Sequence, residues 1–189
     1  MQKTITYFEK PGRANTDQCL DIVVKAIDEF SYKHVVVAST NGDTGVLFSE
    51  QLKDKDINLV VITHSYGFKE PNTIELTDKN RERIISAGAQ IYTGTMITHS
   101  LETALAKQFS GVYPTLLVAQ TLRRFGEGIK VCCEMIMMAT DAGLIPEEEE
   151  IVTIAGTGYG ADTVSVIRSA ASKRFFDLKV LEILAKPRG

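Results

Sequence analysis

Four short stretches of this chain concentrate groups able to bind or move charge. The first, Ser39-Thr40-Asn41-Gly42-Asp43-Thr44-Gly45, sets hydroxyls and a glycine-softened backbone directly before a helical pattern. Unpaired N–H groups at a helix start, with hydroxyls beside them, are the ingredients of a phosphate cradle; an ordinary turn with a Thr cap uses the same residues. There is no Walker lysine and no GxGxxG, which disfavours an NTPase or dinucleotide-binding motif. The second, Thr63-His64-Ser65-Tyr66-Gly67-Phe68, is polar and aromatic where a turn alone was needed. Thr93-Gly94-Thr95-Met96 and Gly156-Thr157-Gly158-Tyr159-Gly160-Ala161-Asp162 complete the set. Each is weak alone, because Gly and Thr are common in turns.

Only one histidine, His64, falls within these stretches. It can act as an acid or base near neutral pH, but no Ser/His/Asp or Cys/His spacing surrounds it. It reads either as facing a ligand or as bracing its own loop, and no catalytic residue is assigned. His34 starts a strand and His99 precedes a helix, where capping or solvation accounts for each. Cys19, Cys132 and Cys133 form no CxxC or Cys/His pattern and read as free, buried thiols, so no metal site is expected. Met135, Met137 and Met138 read as core filler.

The elements that must position these loops alternate along the chain. Short β-branched runs occur at Thr4–Phe8, His34–Ala38, Leu59–Thr63, Gln90–Tyr92, Ile151–Ala155, Thr163–Ile167 and Leu178–Leu184. Val35–Ala38, Leu59–Ile62 and Ile151–Ala155 are almost continuously apolar, as in parallel strands covered on both faces. Helical patterns lie between them. Asn15 with Gln18 offers a capping box for a helix carrying Leu20, Val23, Val24, Ile27 and Phe30. Thr44 to about Leu52 is a second helix. Thr77 caps a third, which stops at Gly88. Leu101–Phe109, Leu116–Arg124 and Val131–Ala142 follow, with Gly126 and Gly128 able to break or kink the last stretch. Glu147–Glu150 reads as a solvated acidic loop.

Strand–helix alternation predicts a three-layer α/β/α sandwich with a mostly parallel sheet. Only Arg168–Asp177 separates the last two strands, so they pair as a hairpin and give the sheet an antiparallel edge strand. No linker or internal repeat interrupts residues 1–189, which read as a single domain. In open α/β sheets ligands bind at the carboxyl ends of the strands. All four loops follow predicted strands, so they converge on one crevice suited to a phosphorylated ligand with a planar or sugar body.

Composition narrows the classes. At 44% hydrophobic and 24% charged, the chain is neither disordered nor fibrous nor a disulfide-stapled miniprotein. Its 189 residues, at roughly 150 per domain, make little more than one domain. A chain of this size buries about 70% of its unfolded surface, which needs no metal or disulfide for stability. Lys+Arg 21 against Asp+Glu 24 gives a net charge of −3, with the basic residues scattered; a nucleic-acid partner is not expected. No apolar run approaches the ~18 residues of a membrane span. The first residues lack a signal-peptide stretch, so the chain reads as cytoplasmic.

Three segments carry a family likeness. They are Gly111-Val112-Tyr113-Pro114, the helical stretch ending Asp141-Ala142-Gly143-Leu144-Ile145, and the run from Glu150 to Thr163. Together they resemble the C-terminal α/β domain of pyruvate kinases, where a GV-x-P stretch, a helix and a buried strand lead to a TG loop and an antiparallel strand. The Ser39–Gly45 stretch is similar to the Ser/Thr-rich loop by which many pyruvate kinases hold the phosphate of an allosteric sugar bisphosphate. Their catalytic barrel has no room in 189 residues, so pyruvate kinase activity is not implied. The chain is more similar to small stand-alone proteins of this domain type. It shares with them the STxGxTG loop, the TH-x-x-GF segment, Phe175-Phe176-Asp177-Leu178 and Glu182–Gly189.

Members of that group are associated with bound FMN, so the resemblance implies FMN as the cofactor. The phosphate would lie on Ser39–Gly45, and the isoalloxazine between Thr63–Phe68 and Gly156–Tyr159. The implied cofactor-binding set is Ser39, Thr40, Asn41, Gly42, Asp43, Thr44, Gly45, Thr63, His64, Gly67, Phe68, Thr95, Gly156, Thr157, Gly158 and Tyr159. Three readings follow. The chain is an FMN-binding protein, with oxidoreductase chemistry carried by the flavin as one form of that role. Alternatively it is a non-catalytic regulatory or sensor domain for a sugar phosphate or nucleotide in the same crevice, or an interaction module whose loops bind nothing. The sequence leaves substrate, redox partner and homo-oligomer formation open.

Overall fold

β-Branched side chains suit a pleat covered on both faces, and the valine run from Val35 to Val37 takes the centre of the sheet. In the computed structural model, which describes residues 3–189, these residues belong to β2 (His34–Ala38). The strands β1 (Thr6–Phe8), β3 (Asn58–Ile62), β4 (Gln90–Tyr92), β5 (Glu150–Ala155), β6 (Thr163–Arg168) and β7 (Lys179–Pro187) complete a seven-stranded sheet in the order β1-β7-β6-β5-β2-β3-β4. β5, β2, β3 and β4 run parallel. β6 is antiparallel to both β5 and β7, and β1 lies parallel to β7 beyond it. The opposed strand therefore lies on the β1 side of the sheet, with β7 and β1 outside it. The three runs expected at the centre occupy adjacent places and are buried along nearly their whole length.

Helices α1 (Thr16–Phe30), α2 (Asp43–Leu52) and α3 (Asp78–Ser86) cover one face, where Val23, Phe48 and Ile84 meet Val35, Val37 and Val61. Helix α6 (Glu127–Asp141) covers the other, where Ile129, Cys133 and Ile136 meet Val36, Val60 and Ile151. Alternate residues of β2 thus feed the two cores, as the period of a strand requires. Phe48 is fully buried, and burying such a side chain contributes about 1.5–3 kcal/mol. Helices α4 (Leu101–Phe109) and α5 (Pro114–Leu122) lead into α6; α4 buries none of its residues.

Several local expectations change. The Asn15–Gln18 capping box does not form: Asn15 sits in a 3₁₀ turn, and its side-chain amide donates to the Lys10 and Gly12 carbonyls. Phe30 is exposed, with the Lys3 ammonium 4.0 Å from its ring centre. Gly126 alone separates α5 and its 3₁₀ extension from α6, which begins four residues earlier than the periodicity suggests, with Gly128 inside it. Glu147 does not simply face water, because its carboxylate pairs with Arg174. The three cysteines are free and buried. Burial pushes the Cys19 thiol up to about 12, Cys132 to about 11 and Cys133 to about 12, so all three stay protonated and inert. Met135, Met137 and Met138 are core residues. Among the described residues no helix is long and apolar enough to cross a membrane, and no His/Cys/Asp/Glu group is arranged to hold a metal ion.

Candidate functional site

β2 lies between β3 and β5, so the connections leaving β2 and β5 diverge at their carboxyl ends, where α/β sheets bind ligands. A cavity of about 860 Å³ opens there, touching Ala38 and Ile62 at the ends of β2 and β3 and Gly156 after β5. Its volume falls in the range of small-molecule sites.

The β2–α2 loop forms one wall through Ser39, Thr40, Asn41, Asp43 and Thr44. Asn41 Oδ1 accepts from the Asp43 N–H at 3.1 Å, and Ser39 Oγ from the Gly45 N–H at 2.9 Å. Both Asp43 oxygens are engaged by side-chain amides, those of Asn41 and Asn80, each at 3.0 Å. Among the described residues the N–H groups of Thr40, Asn41, Gly42 and Thr44 donate to nothing. Gly42 and Gly45 are behind this wall. Gly42 holds φ of +101°, and a Cβ there would come within 2.5 Å of Asn80 Cβ, so only glycine lets α3 close on the loop.

The loop after β3 contributes Thr63, His64 and Phe68. Thr63 Oγ1 lies 2.6 Å from Thr93 Oγ1, which ties this loop to the one after β4. His64 Nδ1 is 2.7 Å from Glu75 Oε2, so a side-chain carboxylate, not the loop backbone, orients the ring. Its ring centre is 4.3 Å from that of Phe68, which stands edge-on to His99 at 6.1 Å. Tyr66 does not reach the cavity; its hydroxyl donates to the Asn72 carbonyl. Gly67 lies in the turn beneath, and Thr95 is outside while its neighbour Met96 lines the cavity.

The β5–β6 loop supplies Gly156, Gly158, Tyr159 and Gly160. It is held from beneath by Asp162, fully buried, which accepts from the Gly12 N–H at 2.8 Å, the Thr157 N–H at 3.0 Å and Thr163 Oγ1 at 2.8 Å. Thr157 is thereby turned to this brace and away from the lining. A Cβ on Gly156 would come 2.5 Å from the Gly160 carbonyl oxygen, so the loop closes only around glycine.

Two groups in the lining had no signal in the sequence reading. Arg13, before α1, makes no ion pair among the described residues, unlike Arg123, the other arginine of the lining, which pairs with Glu127. From the opposite layer come Lys130 and Glu134, 1% and 3% exposed, with Nζ and Oε2 2.6 Å apart. Glu134 Oε1 also accepts from the Thr98 N–H at 2.6 Å and from its hydroxyl at 2.7 Å. Burial alone would raise the Glu134 carboxyl, but the Lys130 ammonium and the Thr98 donors outweigh it and hold the group below its ordinary value. Burial draws the Lys130 ammonium down from its usual value, opposed by Glu134. His99 Nδ1 lies 3.2 Å from Lys130 Nζ and 3.9 Å from Glu134 Oε1. An ammonium can only donate, so Nδ1 accepts from Lys130, and 3.9 Å is too long for a hydrogen bond to the carboxylate. His99 is therefore part of the cavity wall, where capping or solvation had been expected.

Solved structures that the chain matches include a pyruvate kinase from Cryptosporidium parvum, at 13% identity and a TM-score of 0.42, covering 85% of this chain and 24% of that one. They also include an O-ureido-L-serine synthase, at 14% identity and 0.33, covering 52% and 30%. A pyridoxal 5'-phosphate-dependent aspartate racemase matches at 16% identity and 0.34, covering 76% and 47%. The chain thus spans about a quarter of the length of the pyruvate kinase it resembles. The model of the pyruvate kinase alpha/beta domain matches residues 17–168, and the chain belongs to that family.

Proposed function

We propose that this protein binds FMN in the cavity at the strand ends, with the flavin phosphate on the β2–α2 loop. The observation that carries the reading is the set of uncommitted N–H groups at Thr40, Asn41, Gly42 and Thr44, beside an Arg13 without a carboxylate partner. Free N–H groups at a helix start attract a phosphate through the helix dipole. An arginine adds charge-assisted donors. The Asp43 carboxylate is turned to Asn41 and Asn80, which satisfies its oxygens within the protein. Phe68 and the half-exposed Tyr159 offer ring faces for a planar body. Glu75 fixes the orientation of His64, leaving Nε2 as the second site for a hydrogen bond or a proton.

Bound there, FMN would supply electron and hydride chemistry, and the protein would orient the flavin and tune its ring. A regulatory domain for a sugar phosphate or nucleotide rests on the same cradle; the aromatic wall favours a planar body over a sugar.

Thr44→Val tests the reading, because valine keeps the shape and removes the hydroxyl. A Gly42 variant is unsuitable, since it would displace α3. With Thr44→Val, FMN should bind about 10- to 100-fold more weakly while riboflavin changes little, a hydrogen bond to a charged group contributing about 1.5–3 kcal/mol. Equal losses for both flavins, or a wild-type protein that binds neither, would end the proposal.

A further inference from the structure

We infer that Lys130 donates from α6 to an acceptor-rich or anionic edge of the ligand, which for FMN is the N1–C2 carbonyl edge of the isoalloxazine. This inference rests on the flavin reading above and assigns the residue that tunes the ring.

Lys130 is part of the cavity floor yet only 1% exposed, so water does not satisfy its ammonium. An ammonium carries three N–H donors. Two have partners, Glu134 Oε2 at 2.6 Å and His99 Nδ1 at 3.2 Å. The third has none among the described residues. Glu134 cannot swing to serve it, because Thr98 holds its other oxygen through two bonds. A buried ion pair seldom stabilises a fold more than apolar residues of the same size, so stability alone gives little reason for this pair. Its place gives a better one. The phosphate cradle belongs to the α2 layer and Lys130 to the α6 layer, so a ligand seated at the strand ends meets one from each side.

The ring edge is the place where such a donor matters. When dithionite gives two electrons to the flavin and becomes sulfite, water supplies the proton at N5, and the added negative charge rests at N1 and the C2 carbonyl. A nearby ammonium binds that charged ring more tightly than the oxidised one and raises its midpoint potential.

The test uses the full chain, Lys130→Met, and the pair variant Lys130→Met/Glu134→Gln, which leaves no lone buried charge. Dissociation constants for FMN and riboflavin are measured with the midpoint potential of bound FMN. Wild-type protein should raise the potential of FMN above that of the free cofactor. Either variant should weaken FMN and riboflavin by the same factor, because the lost donor acts on the ring and not the phosphate. A loss about tenfold larger for reduced than for oxidised flavin lowers the potential by about 30 mV. A wild-type potential below that of free FMN overturns the inference, even if neither variant folds. So does an unchanged potential in the variants, or a loss confined to FMN. If wild-type protein binds no flavin, the FMN reading falls as well; if it binds flavin and the variants are silent, this inference alone falls.

Discussion

Glu134 shows how much a single carboxylate can commit to one place. Lys130 and Thr98 hold its carboxyl below the ordinary 4.5. Its contribution to stability is therefore complete above that ordinary value and is lost as the pH falls through the lowered one. Glu134→Gln keeps the shape and removes the titration. Urea unfolding at about pH 6 and about pH 3 should show a smaller acid loss in the variant than in the wild type, although the variant is less stable throughout. Equal losses would mean that the carboxylate is not held down. This pair was illegible in the sequence for a physical reason. Lys and Glu four residues apart on a helix are usually a solvated surface pair, and what buries this one is Thr98 and His99, far away in the chain. Asp162 is a similar case, since its acceptors serve Gly12, 150 residues away in the chain. The Ser39–Gly45 stretch was legible because its local chemistry, hydroxyls and glycines before a helix, needs no distant partner.

Capping separates the helices that sequence patterns describe well from those they do not. Asn15 has the right residue type for an N-cap, but the chain is already turning in 3₁₀ geometry there, so its side chain serves the carbonyls of the preceding turn. Thr77 is extended before α3, and its hydroxyl accepts the Asn80 N–H at 3.2 Å. That cap also matters to the cavity, because the Asn80 side chain donates to the Asn41 carbonyl and to Asp43, each at 3.0 Å. Thr77→Ala should cost about 0.5–2 kcal/mol in urea unfolding. It should also speed amide exchange in α3 and at Asp43, while β5 is unaffected. A stability loss without that local pattern would show that Thr77 does not support the cradle loop. Strand existence was readable from β-branched runs, but boundaries moved by one to three residues. The start of α6 was missed because Gly128 looks like a breaker, whereas it is the residue that lets the helix close on Thr163.

Strand order belongs to the whole molecule. The β6–β7 hairpin could be foreseen from the short segment between its strands, but nothing local says that β5 returns beside β2 and not beside β4. That choice is made by α6, whose two-sided lining of Cys132, Cys133, Ile136 and Ala139 fits across Val36, Val60 and Ile151. The same packing predicts an uneven distribution of stability. β2, β3, β5, β6 and α6 are nearly wholly buried, so their amides exchange only when the entire core opens. The stretch from α4 through residue 112 is different. α4 buries no residue, and Leu101, Phe109 and Val112 are 72%, 70% and 82% exposed. With so few apolar contacts, it should open without the rest of the molecule, by a process independent of the global unfolding free energy. Hydrogen exchange followed by mass spectrometry should therefore show residues 101–112 losing protection far sooner than α6. A mild denaturant should accelerate α6 steeply and residues 101–112 hardly at all, because local opening exposes little new surface. Protection of α4 equal to that of α6 would mean that its exposed side chains are covered, most simply by a second copy of the chain, and dilution of the sample would then remove it.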